Sequence, residues 1–98
     1  MKEVIERLNK AFENRVRLGI MSTLMVNDKI DFNNLKEMLN LSDGNLASHI
    51  SALEKSGYVK IEKKFMGKKP NTIYKVSAAG KKAFVQHLDA LEELLKQL

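Results

Sequence analysis

Apolar positions recur along this chain at helical spacing in five stretches and at alternating spacing in three, and the switches between the two periods set the element order. Val4, Ile5, Leu8, Ala11 and Phe12 predict a helix from Lys2 to about Glu13. Asn14 can cap a second helix, Arg15 to about Val26, in which Val16, Ile20, Met21 and Leu24 repeat on one side. Ile30 and Phe32 alternate with Lys29 and Asp31 as a very short strand, after which Asn33 caps a small helix with Leu35, Met38 and Leu39 buried and Asn40 left-handed at its end.

The most informative element comes next. Ser42 is an N-cap, Leu41 and Leu46 can form a hydrophobic staple, and Gly57 stops the helix where a left-handed residue is needed, so a helix of about Asp43 to Ser56 is expected. Leu46, Ile50 and Leu53 form one narrow apolar stripe. The other side is Gly44, Ser48, Ser51 and Lys55, with Asn45, Ala52 and, further round, His49 on its flank. A helix face that is only solvated more often carries Glu and Lys at i, i+4; small polar side chains let the axis approach a groove closely and read its edges.

Beyond Gly57 the period becomes two. Val59, Ile61 and Phe65 alternate with Lys60, Glu62 and Lys64; residues 66–71 make a tip; and Thr72, Tyr74 and Val76 return on one face, giving an antiparallel hairpin over about 58–76. Ser77 caps a last helix that continues to Leu98.

Charge sharpens this picture. From Lys55 to Lys82 the chain carries nine lysines and one acid, Glu62, a local balance of +8 against −3 for the rest. A concentrated basic segment beside a candidate reading helix is the footprint of phosphate binding. Lys63, Lys64, Lys68 and Lys69 near the tip suit contacts to a nucleic-acid backbone, while lysines on a hairpin also guard its edges against aggregation. The chain's 98 residues suffice for one domain and a modest core. With no cysteine there is no disulfide or thiolate metal site, and no apolar run approaches the roughly 20 residues that cross a bilayer, so a cytoplasmic protein without a membrane partner is expected.

These elements, in this order, resemble the winged helix-turn-helix of small MarR/ArsR-like prokaryotic transcriptional regulators. The resemblance is carried by residues 14–20 (NRVRLGI), 41–50 (LSDGNLASHI), 53–59 (LEKSGYV) and 72–80 (TIYKVSAAG), and spans about residues 12–84. It implies a mainly helical fold with a small β-hairpin wing, order α-α-β-α-α-β-β-α. It also implies a homodimer on double-stranded DNA, with the helix at about 43–56 in the major groove and the wing at about 58–76 along the backbone or minor groove. Ser42, Gly44, Asn45, Ser48, His49, Ser51 and Lys55 would face DNA from the helix. The cysteine sensor pair of some relatives is absent, and the sequence identifies no effector or effector pocket.

The last helix supplies an independent argument for a dimer. Phe84, Leu88, Leu91, Leu95 and Leu98 follow a 4, 3, 4, 3 spacing, a heptad-type seam. With Ile5, Leu8 and Phe12 of the first helix they form the expected subunit interface; the alternative is that the two helices pack only within their own chain.

Enzymatic readings lack parts. His49 and His87 are the only histidines, neither has a metal-ligand pattern, and His87 is expected to be solvated or at an interface. No nucleophile elbow, P-loop or dinucleotide fingerprint occurs, and no cofactor is expected. The rival readings are a winged-helix module that docks on protein, which would favour aromatic, Met and Arg anchors that the 43–56 face lacks, and an RNA binder, which would need more exposed stacking side chains than Tyr58, Phe65 and Tyr74.

Overall fold

Helix starts in this chain are written in short polar side chains. In the computed structural model, which describes residues 1–98, the Asn14 side-chain oxygen accepts the amide protons of Val16 (2.9 Å) and Arg17 (3.1 Å) and opens α2, Arg15–Val26. Ser42 opens α4, Asp43–Lys55, and Ser77 opens α5, Ala78–Lys96, each by accepting the amide three residues on. Two helix ends use Schellman geometry. Asn40, at φ +52°, closes α3 (Phe32–Leu39), and Gly57, at φ +80°, closes α4, with the Tyr58 amide donating to the Leu53 carbonyl at 3.0 Å.

Three local expectations need correction. The first helix, α1, stops at Glu6 rather than continuing to about Glu13, and a 3-10 turn, Lys10–Phe12, follows. Asn9 is the cause. Its side-chain oxygen accepts the Ala11 amide, its own amide donates to His87 Nδ1 (3.0 Å), and its Nδ2 donates to the Tyr58 hydroxyl (3.0 Å). A continuous helix would forfeit these partners. Strand β1 is only Ile30–Asp31, and Phe32 already belongs to α3, because Asp31 rather than Asn33 caps that helix by accepting the Asn34 amide at 2.8 Å. Met38, expected to be buried, faces solvent, while Leu35 is fully buried. The hairpin strands, β2 (Val59–Met66) and β3 (Lys69–Val76), pair up to Met66↔Lys69, so the six-residue tip shrinks to Gly67-Lys68. Gly67 at φ +68° supplies the first position of a type II′ turn, whose twist matches the strands.

The sheet order is β1-β3-β2, antiparallel throughout, with Ile30 opposite Tyr74 and Ile61 opposite Tyr74 from the other side. One cluster of twelve buried side chains joins α2, α3, α4, the base of the hairpin and α5. Each fully buried aliphatic contributes about 1.5–3 kcal/mol relative to exposure. Phe12 is its aromatic hub, with the rings of Tyr58, Phe84 and His87 at 5.2, 5.1 and 5.4 Å.

Two contacts lock α5 to the end of α4. The Ser77 hydroxyl donates to the Gly57 carbonyl at 2.6 Å and the Ser77 amide to the Tyr58 carbonyl at 2.9 Å. Gly80 then lies so close that a Cβ there would stand 2.2 Å from the Tyr58 carbonyl oxygen. The orientation of α4 is therefore coupled to α5 through backbone contact.

The expected seam on α5 divides. Phe84 is buried in its own subunit's core against Phe12, so neither is free to line a subunit interface. His87, expected to be solvated or interfacial, is buried too, accepting the Asn9 amide. Its imidazole is held below the usual histidine range because burial disfavours the cation, opposed by the nearby Glu13 carboxylate. After Ala90 no residue of α5 is fully buried, and Leu91 is half-buried. Leu88, Leu95 and Leu98 are exposed, as are Ile5 and Val85, while Leu8 is half-buried; a two-pronged Arg7–Glu93 ion pair ties α1 alongside.

Candidate nucleic-acid interface

The helix-turn-helix is formed by α3 and α4, joined through Asn40, Leu41 and Ser42. Because Leu46, Ile50 and Leu53 are driven into the core, the remaining turns of α4 must present the opposite face. Ser42, Gly44, Asn45, Ser48 and Lys55 are exposed along it, with open space around Gly44. Ser51 is half-buried and sits at the edge of this face. The Ser42 hydroxyl is engaged as the cap, accepting the Asn45 amide at 3.2 Å, and keeps its own proton to donate outward.

His49 is placed differently from the rest. It is half-buried and turns toward α2, its Nδ1 3.1 Å from Arg17 Nη1, while Arg17 Nε donates to the Ala11 carbonyl at 2.7 Å. The guanidinium has only donors, so Nδ1 is the acceptor and the ring proton sits on Nε2. His49 thus positions Arg17, and only its Nε2–H is available outward.

Basic side chains surround this helix from three directions. Arg15, exposed at the start of α2, lines a cleft with Asn45, and Lys36 of α3 pairs with Asp43 at 2.8 Å, offsetting the one acid in the first turn of α4. Neither Arg15 nor Arg17 was among the DNA-facing residues expected from the sequence; their place in the turn after the Asn14 cap is the signal that could have marked them. On the hairpin, Lys63, Lys64, Lys68 and Lys69 are all exposed. Glu62, the only acid in either strand, bonds Lys75 at 3.0 Å and Lys64 at 3.5 Å. The Lys75 hydrogen bond and charge hold its carboxyl below the usual range, so it remains ionised. The hairpin keeps a positive excess beyond that pairing.

Residues 16–95 match the family model of the winged helix DNA-binding domain. The chain belongs to that family. Proteins of known sequence and structure resemble the chain over nearly its whole length. An uncharacterized protein of Methanocaldococcus jannaschii is 36% identical over 89 residues, which is 91% of this chain and 97% of that protein. The transcriptional regulator homologue from Pyrococcus horikoshii OT3 superposes with a TM-score of 0.89 at 33% identity, covering 99% of this chain and 97% of its own. HlyU from Vibrio cholerae superposes with a TM-score of 0.69 at 28% identity, covering 92% of each chain. The protein is a small winged-helix regulator that acts by binding DNA and not by catalysis. No helix is long and apolar enough to cross a membrane.

Proposed function

We propose that this protein is a homodimeric, sequence-specific regulator of the MarR/ArsR type, acting in the cytoplasm. It seats α4 in the major groove of duplex DNA and lays β2–β3 along the backbone and minor groove. The observation that carries the reading is the division of α4. One side is locked into the core by three buried aliphatics, and the other presents Gly44, Asn45, Ser48 and Lys55 between Arg15 and the basic hairpin. Gly44, Asn45 and Ser48 are short enough to let the helix axis approach base edges, and the amide and hydroxyl can donate and accept there.

A single helix of this size reads few base pairs, so two must be held about 34 Å apart. The exposed apolar side chains Ile5 on α1, Val85, Leu88 and Leu95 on α5 and Leu98 just beyond it supply a surface for a second copy, together with half-buried Leu8 and Leu91. Through Ser77 and Gly80, a dimer built on α5 fixes the separation of the two α4 helices.

Alanine at Asn45 or Ser48 tests the reading face. On the preferred duplex each replacement is expected to cost roughly 1–3 kcal/mol, with binding to random duplex nearly unchanged. Equal losses on both DNAs would place the reading face elsewhere, and no loss on either would return the fold to the protein-docking reading.

A further inference from the structure

The wing tip carries apolar surface that the core does not use. On the inward face of the hairpin Val59 and Tyr74 are buried, but Phe65, four residues beyond Ile61 and thus about 13 Å further out, is 75% exposed. Met66 beside it is 70% exposed, and Pro70 stands directly opposite Phe65 in the register. With a two-residue turn, Met66 and Lys69 form the hydrogen-bonded closing pair. Phe65 and Pro70 therefore form a non-hydrogen-bonded pair, in which side chains stand closest and proline loses no ladder bond. The two rings make one apolar ridge at the end of a projecting arm. Lys63, Lys64, Lys68 and Lys69 surround it, all exposed, and the nearest acid, Glu62, is already held by Lys75 and Lys64.

We propose that the Phe65–Pro70 ridge is a wedge that enters the minor groove of DNA and partly unstacks one base step, while the adjacent lysines hold the phosphates on either side. The inference rests on the reading that the wing lies on DNA. A ring of positive charge suits a polyanion rather than an apolar protein surface, which would leave these lysines desolvated and unpaired. Apolar wedges cost a few kcal/mol of unstacking, least at the flexible TA and CA/TG steps. Phe65 therefore confers sequence preference on the flanks of the site without hydrogen-bonding any base. Lysines alone would leave the flanks unspecified.

The test is selection from a pool of random duplexes by the full-length protein, its Phe65→Ala variant and its Lys68→Gln/Lys69→Gln double variant. Binding is then measured to a selected duplex carrying 2-aminopurine at the flanking step. The wild type is expected to enrich TA or CA/TG steps in the flanks and to raise 2-aminopurine fluorescence on binding. Phe65→Ala should keep the central preference and the salt dependence, abolish the fluorescence rise, and lose roughly tenfold in affinity on duplexes with a flexible flank but little on those without. The double lysine variant should weaken all duplexes and make the log-log salt slope shallower by about 1 for each phosphate no longer neutralised. Unchanged flank preference and fluorescence in Phe65→Ala would overturn the wedge while leaving the wing on DNA. An unchanged salt slope in the lysine variant would remove the wing from DNA and the wedge with it. A change of oligomeric state in Phe65→Ala would assign the ridge to protein contact and overturn the proposal as well.

Discussion

Replacing Gly80 with alanine sets two physical effects against each other, and the structure decides the sign. In a helix alanine is better than glycine by up to about 1 kcal/mol, so on propensity alone the change at Gly80, in the first turn of α5, stabilises the protein. The added Cβ, however, would stand 2.2 Å from the Tyr58 carbonyl oxygen, where ordinary contact begins at 3.4 Å. That neighbour is backbone, fixed by the Schellman turn at Gly57 and by the Ser77 amide at 2.9 Å, so it cannot swing aside as a side chain could. Relief requires α5 to move by about an ångström. Overpacking of this kind costs about 1–3 kcal/mol, and loosening the Ser77 hydrogen bonds adds about 1 kcal/mol each. The net is a destabilisation of about 3 kcal/mol, a fall in Tm of roughly 15 °C for a chain of this size. Thermal unfolding by circular dichroism, at matched protein concentration because a dimer's Tm depends on it, reads the effect. Gly44→Ala is the control. Beyond its own turn of helix nothing lies within 4 Å of its added Cβ, so it should raise stability by up to about 1 kcal/mol. A Gly80→Ala protein as stable as the wild type would refute the proposed coupling of α4 to α5.

Two further outcomes follow from the same packing. Glutamate at Leu88 and Leu95 together places charge on the exposed apolar face of α5 without touching Phe84, His87 or Ala90; sedimentation should show a folded monomer that binds the preferred duplex sharply less tightly, and a dimer of wild-type affinity would move the interface elsewhere. His87 is held neutral in the fold, so the unfolded chain binds the extra proton: stability should be complete above the ordinary histidine pKa of about 6.5 and fall below it at up to about 1.4 kcal/mol per pH unit, and His87→Gln unfolding across pH 5–7 should lack that component.

The parts of the fold legible in the sequence are those specified by neighbours a few residues apart. Asn14, Ser42 and Ser77 announce their helices, Asn40 and Gly57 end theirs, and the Leu46, Ile50, Leu53 stripe orients α4 because a narrow apolar stripe has only one side to bury. Two misses are local, the Asp31 cap that displaces Asn33 and the two-residue hairpin tip; the others depend on partners far along the chain. Asn9 breaks the first helix for the sake of His87 and Tyr58, 78 and 49 residues away. The heptad spacing on α5 is real, but it straddles two surfaces, since Phe84 turns inward to Phe12 while Leu88 and Leu95 remain outside. His49 flanks the reading face by spacing, yet only the fold shows it engaged with Arg17. Phe65 reads as one more alternating apolar residue until the register shows that the core ends before it.

Whether α4 and the hairpin together grip duplex DNA is decided by titrating a duplex with the wild-type protein across a range of salt concentrations. If each of two subunits neutralises three to five phosphates through α4, its flanking arginines and the hairpin lysines, log Kobs should fall against log salt with a slope of about −5 to −9. A flat response between low and moderate salt would contradict the proposed interface.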